Sequence, residues 1–190
     1  MKTLNPLVSL PAAAFALLCS TLIAASLFPL PAIATDKGQV EVPFGIRHYD
    51  IGQAKNFTLP DIDGEAFELI STRGKWVFHH FCASWCGPCR EEMPAIQQLA
   101  DSMQDRLHIV MINTAEDEDT IFEFLGTIGV ELNSLMDEDG LVTEEWKPRG
   151  LPTSFLIDPQ GKVKYQAIGG REWGKPLYID FINKLVVQSN

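Results

Sequence analysis

KWVFHHFCASWCGPCREEMP (75–94) decides the fold of this chain. Its first nine residues, KWVFHHFCA (75–83), are mostly apolar on both faces of an extended segment, as a central strand of a covered sheet should be. Gly87-Pro88 then opens a helical stretch to about Met103, with Met93, Ile96, Leu99 and Ala100 on one face. A strand feeding into a helix puts their junction at the carboxyl edge of the sheet, where α/β proteins usually hold their sites. Cys86 and Cys89 stand at that junction, with His79, His80, Cys82, Glu91 and Glu92 close by in sequence.

The same alternation of elements continues outward. LHIVMIN (107–113) reads as a second buried strand, followed by an acidic loop (116–119) and a helix around Ile121 to Thr127. SLMDEDG (134–140) reads as a short strand and turn, and LVTEEW (141–146) as a short helix. SFLID (154–158), the turn at Pro159-Gln160-Gly161 and KVKYQAI (162–168) form a hairpin, and 176–187 has helical spacing through Leu177, Phe181 and Leu185. Before the central strand, FTLPDIDGEAFEL (57–69) alternates on both sides of Asp63-Gly64, a hairpin signal. The pattern predicts one α/β domain over 53–190, with mixed parallel and antiparallel strands. Residues 35–52 lack periodicity and read as a tether.

Residues 1–34 do not belong to that core. Lys2 is the only charged residue before Asp36, 12–28 is a continuous apolar run, and Ala32-Ile33-Ala34 supplies a small-x-small cleavage pattern. The expectation is a secretory signal peptide cut after Ala34, with an uncleaved N-terminal membrane anchor as the alternative. Either way the domain is exported to a periplasm or equivalent extracytoplasmic space. The formal charge of −10 becomes −11 on loss of Lys2 and argues against a nucleic-acid partner.

Beyond residue 34 three cysteines remain, Cys82, Cys86 and Cys89, all within eight residues. A disulfide-stapled scaffold would spread an even number along the chain, so this cluster is a site. Zinc would need a second Cys-x-x-Cys or a spaced histidine pair, and His48 and His108 are isolated. Thiol–disulfide exchange needs an attacking thiolate and a second thiol to resolve the mixed disulfide. A Cys-x-x-Cys at a helix start supplies both: the dipole and free N–H groups favour a thiolate at Cys86, while Cys89 lies one turn further in. Pro88 suits a first helical turn because it has no N–H to leave unpaired.

WCGPC (85–89) after a buried strand resembles the thioredoxin signature, and GLPT (150–153) before a strand resembles that fold's cis-proline loop. FTLPDIDGEAFEL, the GKW before the central strand, WCGPCREEMP, GLPTSFLIDPQGKV (150–163) and GGREW (169–173) together resemble the exported TlpA-like and ResA-like branch of the thioredoxin superfamily. The likeness covers roughly 50–188. It implies a thioredoxin-like fold, a central mixed sheet flanked by helices with an N-terminal β-hairpin extension. It also implies that Cys86 is the nucleophile and Cys89 the resolving thiol, with their redox-active disulfide serving in place of a cofactor. Trp85, Gly87, Pro88, Leu151, a cis Pro152 and Thr153 would line the groove that takes a partner's backbone as an added strand. Glu92 holds the position of a buried branch glutamate that exchanges a proton with the second cysteine. The partners implied are disulfide-containing exported proteins, with apocytochrome c among the candidate clients, and a membrane carrier that delivers thiol electrons outward.

Two residues depart from the branch, which usually reads Asn-Phe-Trp-Ala where this chain has His80-Phe81-Cys82-Ala83. Strand alternation puts His80 on the face of Cys82 and opposite His79, where it either assists Glu92 as a base or packs as a neutral core histidine. Cys82 reads as a small buried hydrophobe, or as a third redox thiol or copper ligand. The alternative function is therefore a copper chaperone or thiol metal sensor on the same scaffold. The copper-delivery relatives would place their second cysteine at Arg90, which argues against it. A peroxidase lacks the upstream proline it would need in Phe81-Cys82-Ala83-Ser84-Trp85.

Overall fold

The computed structural model describes residues 40–189. The expected signal peptide or anchor lies outside those residues. Strands β1 (Ile46–Gln53), β2 (Thr58–Pro60), β3 (Ala66–Glu68) and β4 (Trp76–Cys82) come first, then helix α1 (Gly87–Met103) and strand β5 (Leu107–Thr114). Helix α2 (Glu118–Ile128), strand β6 (Ser134–Asp137) and helix α3 (Leu141–Trp146) follow, then β7 (Thr153–Ile157), β8 (Lys162–Ile168) and helix α4 (Pro176–Gln188).

Six strands form one sheet in the order β1-β8-β7-β4-β5-β6. β5 runs parallel to β4 and to β6, whereas β7 is antiparallel to β4 and to β8, so the sheet is mixed. β4 lies in the interior of the sheet and every one of its residues is buried. Its alternation divides the core in two. Phe78 and Cys82 point into a cluster built with Met93, Ile96 and Leu99 of α1, Ile121 and Phe124 of α2, and Phe181 and Leu185 of α4. Val77 and Phe81 point into the other cluster, with Phe57 and Leu59 of the β2–β3 hairpin and Trp146 of α3. Burying both faces explains why β4 carries no polar-alternating pattern. Among the described residues no helix is long and apolar enough to cross a membrane.

The segment 35–52, expected to be a tether, is corrected over its last residues. Ile46–Gln53 is an edge strand paired antiparallel with β8. Its register slips between His48 and Gly52, and along the strand only Ile46 is fully buried. A bulge on a strand with one solvated face removes the period of two that sequence reading depends on. Ahead of it, Val40 and Val42 also pack against the α1 side of the core.

Candidate active site

Cys86 is the N-cap residue of α1, with extended backbone angles, and its sulfur accepts a hydrogen bond from the Cys89 amide at 3.3 Å. A backbone donor and the positive end of the helix dipole act on the same atom, so Cys86 is built to carry negative charge when the disulfide opens. Cys86 and Cys89 are joined as a disulfide, with Cα atoms 5.2 Å apart. Cys89 is wholly buried, and Cys86 keeps 5% of its surface. Around Cys86 the residues Trp85, Gly87 and Pro88 are exposed, Trp85 to 69%. An approaching partner therefore meets Cys86 first.

The Leu151–Pro152 peptide is cis. Thr153, the next residue, pairs with Phe81 of β4, which brings this loop beside the strand end that leads into the cysteine motif. Leu151 is half-buried, and Pro152 is buried with its carbonyl accepting from the Gly169 amide at 2.8 Å. Thr153 does not line a groove. Its side chain is fully buried, its hydroxyl donates to the Gly150 carbonyl at 2.6 Å, and its backbone lies between β4 and β8.

Glu92 follows Cys89 by three residues, on the same face of α1, and is 3% exposed. Its Oε2 accepts from the Arg171 amide at 2.9 Å and from Trp173 Nε1 at 3.1 Å. Its Oε1 lies 3.2 Å from His80 Nε2, close enough for an ion pair, although the two are not aligned as a hydrogen bond. His80 is wholly buried, stacks on Phe78 with ring centroids 5.7 Å apart, and places Nδ1 2.9 Å from Ser154 Oγ. Thus β4, α1, β7 and the loop before α4 all converge on one buried carboxylate and one buried imidazole. Sequence reading had no means of finding the donors from Arg171, Trp173 and Ser154, because each lies more than 70 residues from its partner. The GGREW stretch was visible as a motif but not as the cradle of Glu92.

Glu116 was also missed, as one member of an acidic loop. Its carboxylate accepts from the Ser84 amide at 2.8 Å, from the Ser84 hydroxyl, and from Asn113 Nδ2 at 2.7 Å. It fixes the turn that presents Trp85 and Cys86. On the other side of the motif, Gly170 approaches the start of α1 so closely that a Cβ there would lie 3.0 Å from the Pro88 carbonyl oxygen. An open cavity of about 530 Å³ adjoins this contact, lined by Pro88, Glu92, Arg171 and Tyr178 among others.

The two other residues of the histidine–cysteine cluster stand apart from exchange chemistry. Cys82 is 4% exposed, and burial, aided by the negative charges of Glu92 and Glu116, pushes its thiol up to about 12. It packs as a hydrophobe. His79 sits on the opposite face, among Phe57, Phe81 and Trp146, with neither ring nitrogen hydrogen-bonded. Burial, with a smaller effect of His80, pushes it down to about 3, so it is neutral. Among the described residues, no three His, Cys, Asp or Glu side chains gather as a metal-holding set.

Residues 52–166 match the AhpC/TSA family. The chain belongs to that family. Proteins named thiol-disulfide oxidoreductase ResA are similar to it: that of Bacillus subtilis (strain 168) is 36% identical over 111 residues, 58% of this chain and 62% of the relative. The ResA of Halalkalibacterium halodurans is 34% identical over 119 residues, 62% of this chain and 68% of the relative. The chain thus spans less than two thirds of the Bacillus subtilis protein's length. Among solved structures, a thiol:disulfide interchange protein of the thioredoxin family from Chlorobium tepidum TLS has a TM-score of 0.60 at 26% identity, covering 70% of this chain and 95% of that one. The AhpC/TSA family protein described here has the thioredoxin-like fold, a mixed sheet flanked by helices, with the paired cysteines at the start of α1.

Proposed function

We propose that this protein is an extracytoplasmic thiol–disulfide oxidoreductase that reduces disulfides in exported partner proteins through Cys86 and Cys89. The observation that carries this reading is the disulfide at the α1 N-terminus, in which Cys86 keeps a little exposed surface and Cys89 none. In the reduced protein the Cys86 thiolate attacks a partner disulfide, forming a mixed disulfide and releasing one partner thiolate. Cys89 loses its proton and attacks Cys86 Sγ, which releases the second partner thiolate and restores the Cys86–Cys89 disulfide. Two electrons pass to the partner, so a dithiol carrier at the membrane must return them. The similarity to proteins named ResA and to a thiol:disulfide interchange protein supports the reaction class. An apocytochrome c with an oxidised cysteine pair is one client to offer it.

Insulin reduction tests the reading. Wild type precipitates insulin in the presence of dithiothreitol, Cys86→Ser does not, and Cys89→Ser accumulates mixed disulfides that appear as slower bands on a non-reducing gel. Equal activity in Cys86→Ser and wild type would remove the proposal. The copper reading is disfavoured because burial keeps the third thiol, Cys82, protonated, and thiolate is the form that binds soft metals. Cu(I) titration of the reduced protein, repeated with Cys82→Ser, discriminates: tight binding without insulin reduction would favour a chaperone.

A further inference from the structure

A second open groove, of about 400 Å³, lies where α2 meets the β2–β3 turn and the loop entering β6. Ile62, Leu125 and Leu132 give it apolar walls, and Phe122 stands at it with 73% of its surface exposed. The buried face of α2 is supplied by Ile121, Phe124 and Leu125, so the Phe122 ring serves no part of the core. An exposed ring beside an apolar groove is the arrangement of an anchor that a partner covers. Gly126 lines the same groove one turn after Phe122. It lies inside α2, its φ is not positive, and a Cβ there would meet nothing within 4 Å. A glycine inside a helix weakens it relative to alanine, and neither backbone nor packing requires one here. The missing side chain leaves floor space in the groove.

Charge selects the occupant. Asp63 and Glu131 line the groove, and Glu118 and Asp119 extend the Phe122–Gly126 row towards the start of α2. All four carboxylates are exposed, and none forms an ion pair. Residues 107–146 hold eleven Asp and Glu but no Lys or Arg, and 56–68 hold four and none. A field of one sign over apolar walls attracts the opposite charge and repels its own. A second copy of this chain, with a net charge of −10, would set this acidic face against itself, which disfavours it.

We propose that this groove docks a cationic amphipathic segment of a partner protein, one apolar side chain entering between Phe122 and Gly126 with lysine or arginine flanking it. Phe122 and Leu125 cover the apolar side chain, and Asp63, Glu118, Asp119 and Glu131 face the flanking cations. The groove holds no cysteine, so docking there stands apart from exchange at Cys86 and Cys89 and does not depend on it. The two sites are neighbours along the chain. α2 starts two residues after Glu116, whose carboxylate holds the Ser84 turn before Cys86.

Fluorescence anisotropy of a labelled, cysteine-free peptide tests the groove. The peptide is about three helical turns long, with leucine on one face and lysine on the other. It binds the wild-type protein, and binding weakens as salt rises from about 0.05 to about 0.5 M. Phe122→Ser and Gly126→Leu each weaken it about tenfold or more, the scale of a lost anchor. Gly126→Leu keeps or raises the urea midpoint, because it replaces a helical glycine, so its loss of binding is not a loss of fold. Glu131→Lys weakens binding more than Glu144→Lys, which makes the same charge change on α3, outside the groove. A peptide with glutamate in place of lysine does not bind. Wild type that fails to bind the lysine peptide, or binds the glutamate peptide as well, overturns the proposal. Equal weakening by Glu131→Lys and Glu144→Lys, with Phe122→Ser and Gly126→Leu binding like wild type, marks diffuse attraction to an acidic protein and also overturns it. A concentration-dependent dimer in sedimentation that Phe122→Ser dissolves assigns the groove to a second copy and overturns the partner.

Discussion

His79 gives a stability prediction that is independent of catalysis. Its imidazole is fully buried between aromatic rings, 4.3 Å from Trp146 and 4.7 Å from Phe81 between centroids. Burial lowers it from 6.5 to about 3. A folded-state value below the unfolded one means that the unfolded chain binds the extra proton. The stability this group confers is therefore present above 6.5 and is lost as pH falls from 6.5 through about 3. At about 1.36 kcal/mol per pH unit, lowering pH from 7 to 4.5 removes roughly 2–3 kcal/mol through this one histidine. His79→Leu, similar in volume and unable to titrate, should lose about 2–3 kcal/mol less over that interval than wild type. Urea unfolding at both pH values, followed by tryptophan fluorescence, reads the difference. Absolute stability is secondary, because the substitution also removes two unpaired nitrogens and several ring contacts. Parallel pH dependences in the two proteins would refute the assignment of His79 as a buried neutral histidine.

Cys82, with its thiol pushed up to about 12, holds only about 10⁻⁴ of its population as thiolate at pH 8, so iodoacetamide should leave it unmodified in the native reduced protein and label it after denaturation. Cys82→Ala should keep insulin reduction, with a stability loss of about 1 kcal/mol from the small cavity. Glu116→Ala strips two hydrogen bonds from Ser84 in the turn before Trp85 and one from Asn113 of β5; a loss of about 1–3 kcal/mol in urea unfolding and a slower first step in disulfide exchange are expected. Gly170→Ala forces a Cβ to 3.0 Å from the Pro88 oxygen, so the loop carrying the Arg171 amide must shift; exchange should slow with a stability cost of about 1–3 kcal/mol. Trp85→Ala removes a 69% exposed indole beside Cys86; it should raise KM for a protein disulfide while leaving reaction with a small disulfide unchanged.

What the sequence could show was local. The run from Trp76 to Cys82 announces a buried strand, Cys86-Gly87-Pro88-Cys89 announces a helix start, and both lie where their residues dictate. Alternation correctly sends His79 and His80 to opposite faces, yet it cannot say that one meets only rings and the other a carboxylate. That difference depends on Trp146 and Glu92, brought in by tertiary packing. β1 was illegible because its bulge and solvated face erase the alternation. Thr153 was misread because motif position says which residues neighbour the cis peptide, not which way a side chain turns at the first residue of a strand. Glu116 and Trp173 illustrate the same limit: each is unremarkable in its own segment and acquires its role through a partner 32 or 81 residues away.

The reduction potential of the Cys86–Cys89 pair tests the central claim most directly. Equilibrating the protein with defined glutathione or dithiothreitol ratios and counting alkylated thiols by mass gives its value. A protein that reduces partner disulfides should lie near thioredoxin, about −270 mV. A value approaching about −120 mV would describe a protein that makes disulfides, and would contradict the proposed direction of electron flow.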